Sequence, residues 1–93
     1  MNIYTEKIIY WIEYHDYSRN HWETIAKEIL EEKNNNLDEA IIQLSFSIRS
    51  FHLKFQDAVV KPGNVLYDLI DNAYINVDWD QVARRCYKNL NLC

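Results

Sequence analysis

A chain of 93 residues with one glycine and one proline has few means of turning a strand back on its neighbour. An all-β fold needs a turn every ten residues or so, and tight turns draw on Gly and Pro. The chain therefore reads as helices joined by short polar connections. Apolar residues make up 48% of it, too many for a disordered segment. The length suits one domain, residues 1–93. The expectation is an all-α, compact bundle of about five helices.

Five apolar stripes carry that expectation. The spacing of Ile8, Trp11, Ile12 and His15 predicts a helix from Tyr4 to His15. Asp16 to Asn20 is polar and reads as a break, with Ser18 or Asn20 as the next cap. Trp22, Ile25, Ala26, Ile29 and Leu30 predict a second helix from His21 to Lys33, with Asn20 and Glu23 at capping-box spacing. Asn34, Asn35 and Asn36 stop it, since Asn tolerates left-handed backbone.

The third helix, Leu37 to Asp57, is the longest, with Leu37, Ala40, Ile41, Leu44, Ile48, Phe51 and Phe55 facing in. Ile42, Phe46 and Leu53 form a second stripe on it, which fits central burial first and a homodimer next. A turn at Pro62 and Gly63 leads to a fourth helix, Val65 to Tyr74, capped by Asn64, with Leu66, Leu69, Ile70 and Ala73 inward. The fifth, Trp79 to Asn89, is capped by Asp78 with Gln81 at the third position. Val77 and Val82 then have the spacing of a hydrophobic staple.

Trp22-Glu23-Thr24-Ile25-Ala26-Lys27 echoes Trp79-Asp80-Gln81-Val82-Ala83-Arg84 as Trp, acid, polar, β-branched, Ala, base. The echo fits either a duplication or two helices that each carry a Trp in the first turn and an Ala where a neighbour comes close; on both readings the two flank one core. Seven tyrosines (Tyr4, Tyr10, Tyr14, Tyr17, Tyr67, Tyr74 and Tyr87) supply rings suited to half-wet contact surfaces.

Reactive chemistry finds little support. His15, His21 and His52 lie on three segments without ligand spacing. Cys86 falls on an apolar stripe, where a thiol behaves as a small hydrophobe. Cys86 and Cys93 read as free thiols of a reducing, cytoplasmic setting, although a fold-back could join them. Ser45, Ser47 and Ser50 have no base beside them, and a lone Gly63 makes no phosphate loop. The reading is a non-enzymatic chain that needs no metal and no cofactor. The opening residues lack a cationic patch followed by an apolar stretch, so no secretion signal is expected, and no apolar run reaches the roughly 18 residues of a membrane span.

Charge is placed unevenly. Residues 1–46 carry nine acids and four bases, and residues 47–93 carry five acids and six bases, for a net -4. Glu28, Glu31, Glu32, Asp38 and Glu39 form one acidic stretch; Asp68, Asp71, Asp78 and Asp80 form a second with no base between them. These nine are the candidate contacts for a partner with a basic surface, such as a nucleic-acid-binding protein. Arg84, Arg85 and Lys88 are a candidate phosphate patch, or simply complement the dipole of the last helix.

The Trp-x-x-Ile/Val-Ala pattern at Trp22 and Trp79 resembles the packing helix of Myb-like and helix-turn-helix modules, which implies a small nucleic-acid-binding regulator using Arg84, Arg85 and Lys88. A nucleotide-sequestering oligomer with those cations at a subunit interface is a further alternative. The runs Asp16 to Ala26 and Val77 to Ala83 resemble small acidic helical proteins of unknown role from phages and other mobile elements. That resemblance implies an inhibitor of a host defence protein, of the kind that occludes a nuclease or a CRISPR complex, and attaches no catalytic residue.

Overall fold

The computed structural model describes residues 1–91. Five helices follow one another: α1 (Ile3–Tyr14), α2 (Asp16–Glu32), α3 (Leu37–Val59), α4 (Val65–Ile75) and α5 (Trp79–Asn89). Among the described residues there is no strand. The body is a small all-α bundle with extents of 42 × 23 × 23 Å.

The caps explain most boundaries. Asn36 Oδ1 accepts the Glu39 N–H at the start of α3, and Asp78 Oδ1 accepts the Gln81 N–H at the start of α5. Asn64 caps α4 through the Leu66 N–H. Asn34 and Asn35 take φ values of 55° and 63°, so the left-handed reversal after α2 falls where the triplet placed it. Gly63, at φ 89°, supplies the reversal between α3 and α4.

The second helix departs from expectation. Asp16 to Asn20 is helical, and a single extended residue, His15, separates α1 from α2. Asp16 in the first turn favours the helix N-terminus, and Arg19 reaches back to it at 3.0 Å. Polarity alone is no break where neither Gly nor Pro interrupts the backbone. Asn20 is therefore interior and makes no capping box; its carbonyl accepts the Thr24 hydroxyl instead.

The core lies where α3 and α5 cross α1 and α2. Ala26, Ala40, Leu44, Ile48, Ala83 and Tyr87 are wholly buried there. Ala26 and Ala83 hold the close approach of the two Trp helices, and the Tyr87 hydroxyl donates to the Ala26 carbonyl at 2.8 Å. Tyr87 is thus a core residue rather than a half-wet one. The face of α1 is also rotated: Thr5, Ile9 and Ile12 are buried, whereas Trp11 stands 56% exposed and stacks on His15.

Two inward stripes end early. Phe51 and Phe55 continue the line of Leu44 and Ile48, yet both are exposed because α3 runs past the bundle. Leu66 and Leu69 on α4 are exposed too, and α4 has no buried residue. The second stripe of α3 is not centrally buried either: Ile42 and Phe46 face out, and Leu53 is half-buried. A short helix had to be read as amphipathic without knowing that its neighbour overhangs the core.

A polar clasp ties the start of α1 to the turn between α4 and α5. Asn2 Oδ1 accepts from the Thr5 N–H and hydroxyl, and Asn2 Nδ2 donates to the Asn76 carbonyl at 2.7 Å. Buried Thr5 Oγ1 then accepts the Asp78 backbone N–H at 2.8 Å. Replacing Thr5→Val keeps the shape and orphans that N–H. Urea unfolding should show a loss of about 1–3 kcal/mol; an unchanged midpoint would show the clasp to be dispensable.

Candidate functional site

The sequence-derived acids fall into three settings. Glu28, Glu31 and Glu32 on the last turns of α2 and Asp38 and Glu39 on the first turn of α3 are all exposed around the Asn34–Asn36 turn. None of the three ion pairs formed among the described residues engages them. Lys27 and Lys33 are the bases between residues 27 and 39, so this turn keeps a negative excess. Asp38 and Glu39 also complement the positive end of α3.

Asp68 and Asp71 lie on α4 and share their side of it with Tyr67. The Tyr67 hydroxyl donates to Asp57 at 2.7 Å. That hydrogen bond, ahead of the charges of Asp57, Asp71 and Asp68, raises the Tyr67 pKa above its ordinary value. Asp78 serves as the α5 cap, and Asp80 pairs with Arg84 at 2.6 Å. The second acidic stretch is therefore split between a surface cluster and two residues with local structural work.

The candidate cations are also engaged. Arg84 pairs with Asp80, and Arg85 Nε donates to Glu13 Oε1 at 2.7 Å. Asn89 donates to the same Glu13 oxygen at 3.2 Å, so Glu13 ties α1 to the last turns of α5. Lys88 is exposed in the last turn of α5, where a cation suits the helix dipole. Glu13 escaped the sequence reading, although its lie beside the Ile9 and Ile12 face would have placed it at the rim of the core.

Aromatic contacts make the other organised surface. Tyr17, His21, Trp22, Phe51, His52, Tyr74 and Trp79 form an unbroken run of ring contacts, with centroids 4.9–6.2 Å apart, across α2, α3, α4 and α5. His52 sits inside it, with Nδ1 2.8 Å from the Ile48 carbonyl. A carbonyl only accepts, so this nitrogen carries the proton. Burial, partly offset by that hydrogen bond, lowers the His52 pKa below 6.5.

Among the described residues, the candidate nucleophiles Ser45, Ser47 and Cys86 are engaged locally or buried. The hydroxyls of Ser45 and Ser47 donate to the carbonyls of Ile42 and Gln43 in their own helix. No cluster of His, Cys, Asp or Glu there could hold a metal ion. Burial, with the charges of Glu13 and Glu23, pushes the Cys86 thiol up to about 12, far from a reactive thiolate. Cys93, expected as a second free thiol, lies outside the described residues. The recess beside Cys86, lined by Ile9, Ile12 and Val82, offers about 10 Å³, and two open surface depressions, one beside Tyr17, His21 and Ile25 and one beside Tyr10, Tyr14 and Arg85, offer about 440 and 350 Å³. Among the described residues, no helix is long and apolar enough to cross a membrane. No family model matches the chain, and neither a curated protein nor a solved structure matches it.

Two measurements check these environments. Alkylation near pH 8 followed by peptide mass spectrometry should leave Cys86 unmodified in the folded chain and label it in denaturant. Rapid native labelling would refute the burial. For His52 the unfolded chain takes up a proton near 6.5 while the folded chain resists it. Its contribution to stability is therefore full above that pH and falls as pH drops toward the lowered folded value. Between about pH 7 and about pH 5, the wild-type chain should lose more stability than His52→Gln, in which other titrating groups remain. Parallel losses would refute it.

Proposed function

We propose that this chain is a non-enzymatic protein-binding module that acts through its acidic surface on a host protein with a basic face. Its biological setting, on this reading, is that of a phage or mobile-element inhibitor of a host defence protein, acting in the cytoplasm. The observation that carries the proposal is the exposed group Glu28, Glu31, Glu32, Asp38 and Glu39, gathered on one turn and held by no ion pair among the described residues. Such a group steers association with a cationic surface and competes there with phosphate. Asp68 and Asp71 extend the same sign along α4, whereas Asp78 and Asp80 contribute less because the first caps a helix and the second is paired.

The alternatives draw less support. A helix-turn-helix-like regulator or a nucleotide-sequestering oligomer would rely on Arg84, Arg85 and Lys88. Arg84 and Arg85 each already face a carboxylate, which lowers the potential offered to phosphate. The dipole reading of these residues suits their place on α5.

Affinity capture from a bacterial lysate, with the chain as bait, tests the proposal. A nucleic-acid-binding protein with a basic surface should be retained, and retention should weaken as salt is raised. The triple reversal Glu28→Lys, Glu31→Lys and Glu39→Lys should abolish retention with an unchanged helical circular dichroism spectrum. Retention indifferent to both salt and the reversal would overturn it.

A further inference from the structure

Beyond the acidic turn, the overhang of α3 and the whole of α4 form a helical hairpin whose apolar side the described residues leave largely exposed, with Phe51 edged by the His21 and Trp22 rings of α2. Phe51, Phe55 and Val59 recur at intervals of four, on the line that Leu44 and Ile48 bury further back. On α4, Leu66 and Leu69 share a flank at helical spacing, and Asp68 and Asp71 lie on the opposite flank. Gln56 Nε2 donates to the Tyr67 carbonyl, and Tyr67 donates to Asp57, so the two helices are held side by side by polar contacts. An 11-residue helix is marginal by itself in water, and α4 has no buried residue to support it.

We infer that this face docks a second copy of the same chain, the two hairpins closing into a four-helix bundle. Two arguments select that occupant. The first is area. Five apolar side chains there are 48–62% exposed. Together they present on the order of 500 Å² per copy, which with its polar rim approaches the ~800 Å² per partner of a standard interface and matches the largest patch of a typical monomer.

The second argument is charge. The acidic turn sets Glu28, Glu31, Glu32, Asp38 and Glu39 against Lys27 and Lys33, whereas the hairpin, residues 51–75, carries Lys54 and Lys61 against Asp57, Asp68 and Asp71, a net of only -1. The acidic turn and the end of the hairpin are separated by the 23-residue helix α3, about 35 Å of rise and several Debye lengths at physiological salt. Pairing through the hairpin therefore joins the ends of lower charge and keeps the acidic turns apart. The rim carries both signs, Lys54 and Lys61 against Asp57 and Asp68, all exposed. A two-fold arrangement can set the cations of one copy toward the acids of the other.

Sedimentation velocity and light scattering over a dilution series test the inference. The expected mass at about 100 µM chain, where a micromolar interface is largely occupied, is twice the chain mass of 11.2 kDa. Phe55→Glu with Leu69→Glu should return the monomer mass with unchanged helical circular dichroism. If that variant loses helicity, Val59→Lys with Leu66→Lys replaces it. Hydrogen exchange of the wild-type chain should show protection of the α4 amides that rises with concentration. A monomer at that concentration, or a dimer that survives both double substitutions, would overturn the inference. Glu28→Lys, Glu31→Lys and Glu39→Lys should leave the dimer mass unchanged, so this result and the loss of partner capture are read separately.

Discussion

The fold depends on one crossing, where α5 lies against α2 and α3 and the Tyr87 hydroxyl reaches the Ala26 carbonyl. Two alanines, Ala26 and Ala83, are wholly buried and let the backbones approach. A larger side chain at either would force the helices apart, at a typical cost of about 1–3 kcal/mol. Burial pushes the Tyr87 pKa up to about 12, so this ring donates its hydrogen bond across the physiological range. The α1 helix is bound to α5 through Glu13, Arg85 and Asn89, and its first turn is bound to the entry of α5 through Thr5.

The parts of this arrangement that depend on local rules were legible in the sequence. Asn36, Asn64 and Asp78 cap the helices that their spacing announced, and the stripe Trp22, Ala26, Ile29 faces the core. The parts that depend on where a neighbour stops were not. Phe51 and Phe55 have the same spacing as Leu44 and Ile48, but burial depends on the reach of α2 and α5, which no periodicity records. The rotation of α1 has a similar origin. Trp11 was the largest apolar side chain on offer, yet the clasp through Thr5 turns Ile9 and Ile12 inward instead. The acidic stretches were legible as charge and illegible as geometry. Only the structure separates Asp80, neutralised by Arg84, from Glu28, which no ion pair among the described residues engages.

The long helix α3 then sorts the surface into two ends of different character. Its first turn carries Asp38 and Glu39 beside the acidic end of α2, and its last turns carry Phe55 and Val59 beside α4. Charge acts over about 10 Å in physiological salt, and apolar contact acts only at touching distance. A surface built this way can orient an approaching partner at one end and bury area at the other without either function costing the other much. If both were on the same end, a dimer would have to bring two negative surfaces together, and the repulsion would work against the burial.

Polar side chains also tie the helices to one another outside the apolar core. Thr5 both donates and accepts, Gln56 reaches the Tyr67 carbonyl, and His52 is held by Ile48 within the aromatic run. These contacts fix the angle at which α3 leaves the core and the side on which α4 returns. A change at His52 or Gln56 would therefore act on the hairpin by tilting it, without touching the apolar side chains that the hairpin presents. The links that hold α4 beside α3 are polar, from Gln56 to the Tyr67 carbonyl and from Tyr67 to Asp57, so the side on which α4 lies is set by residues other than the apolar ones that the hairpin presents.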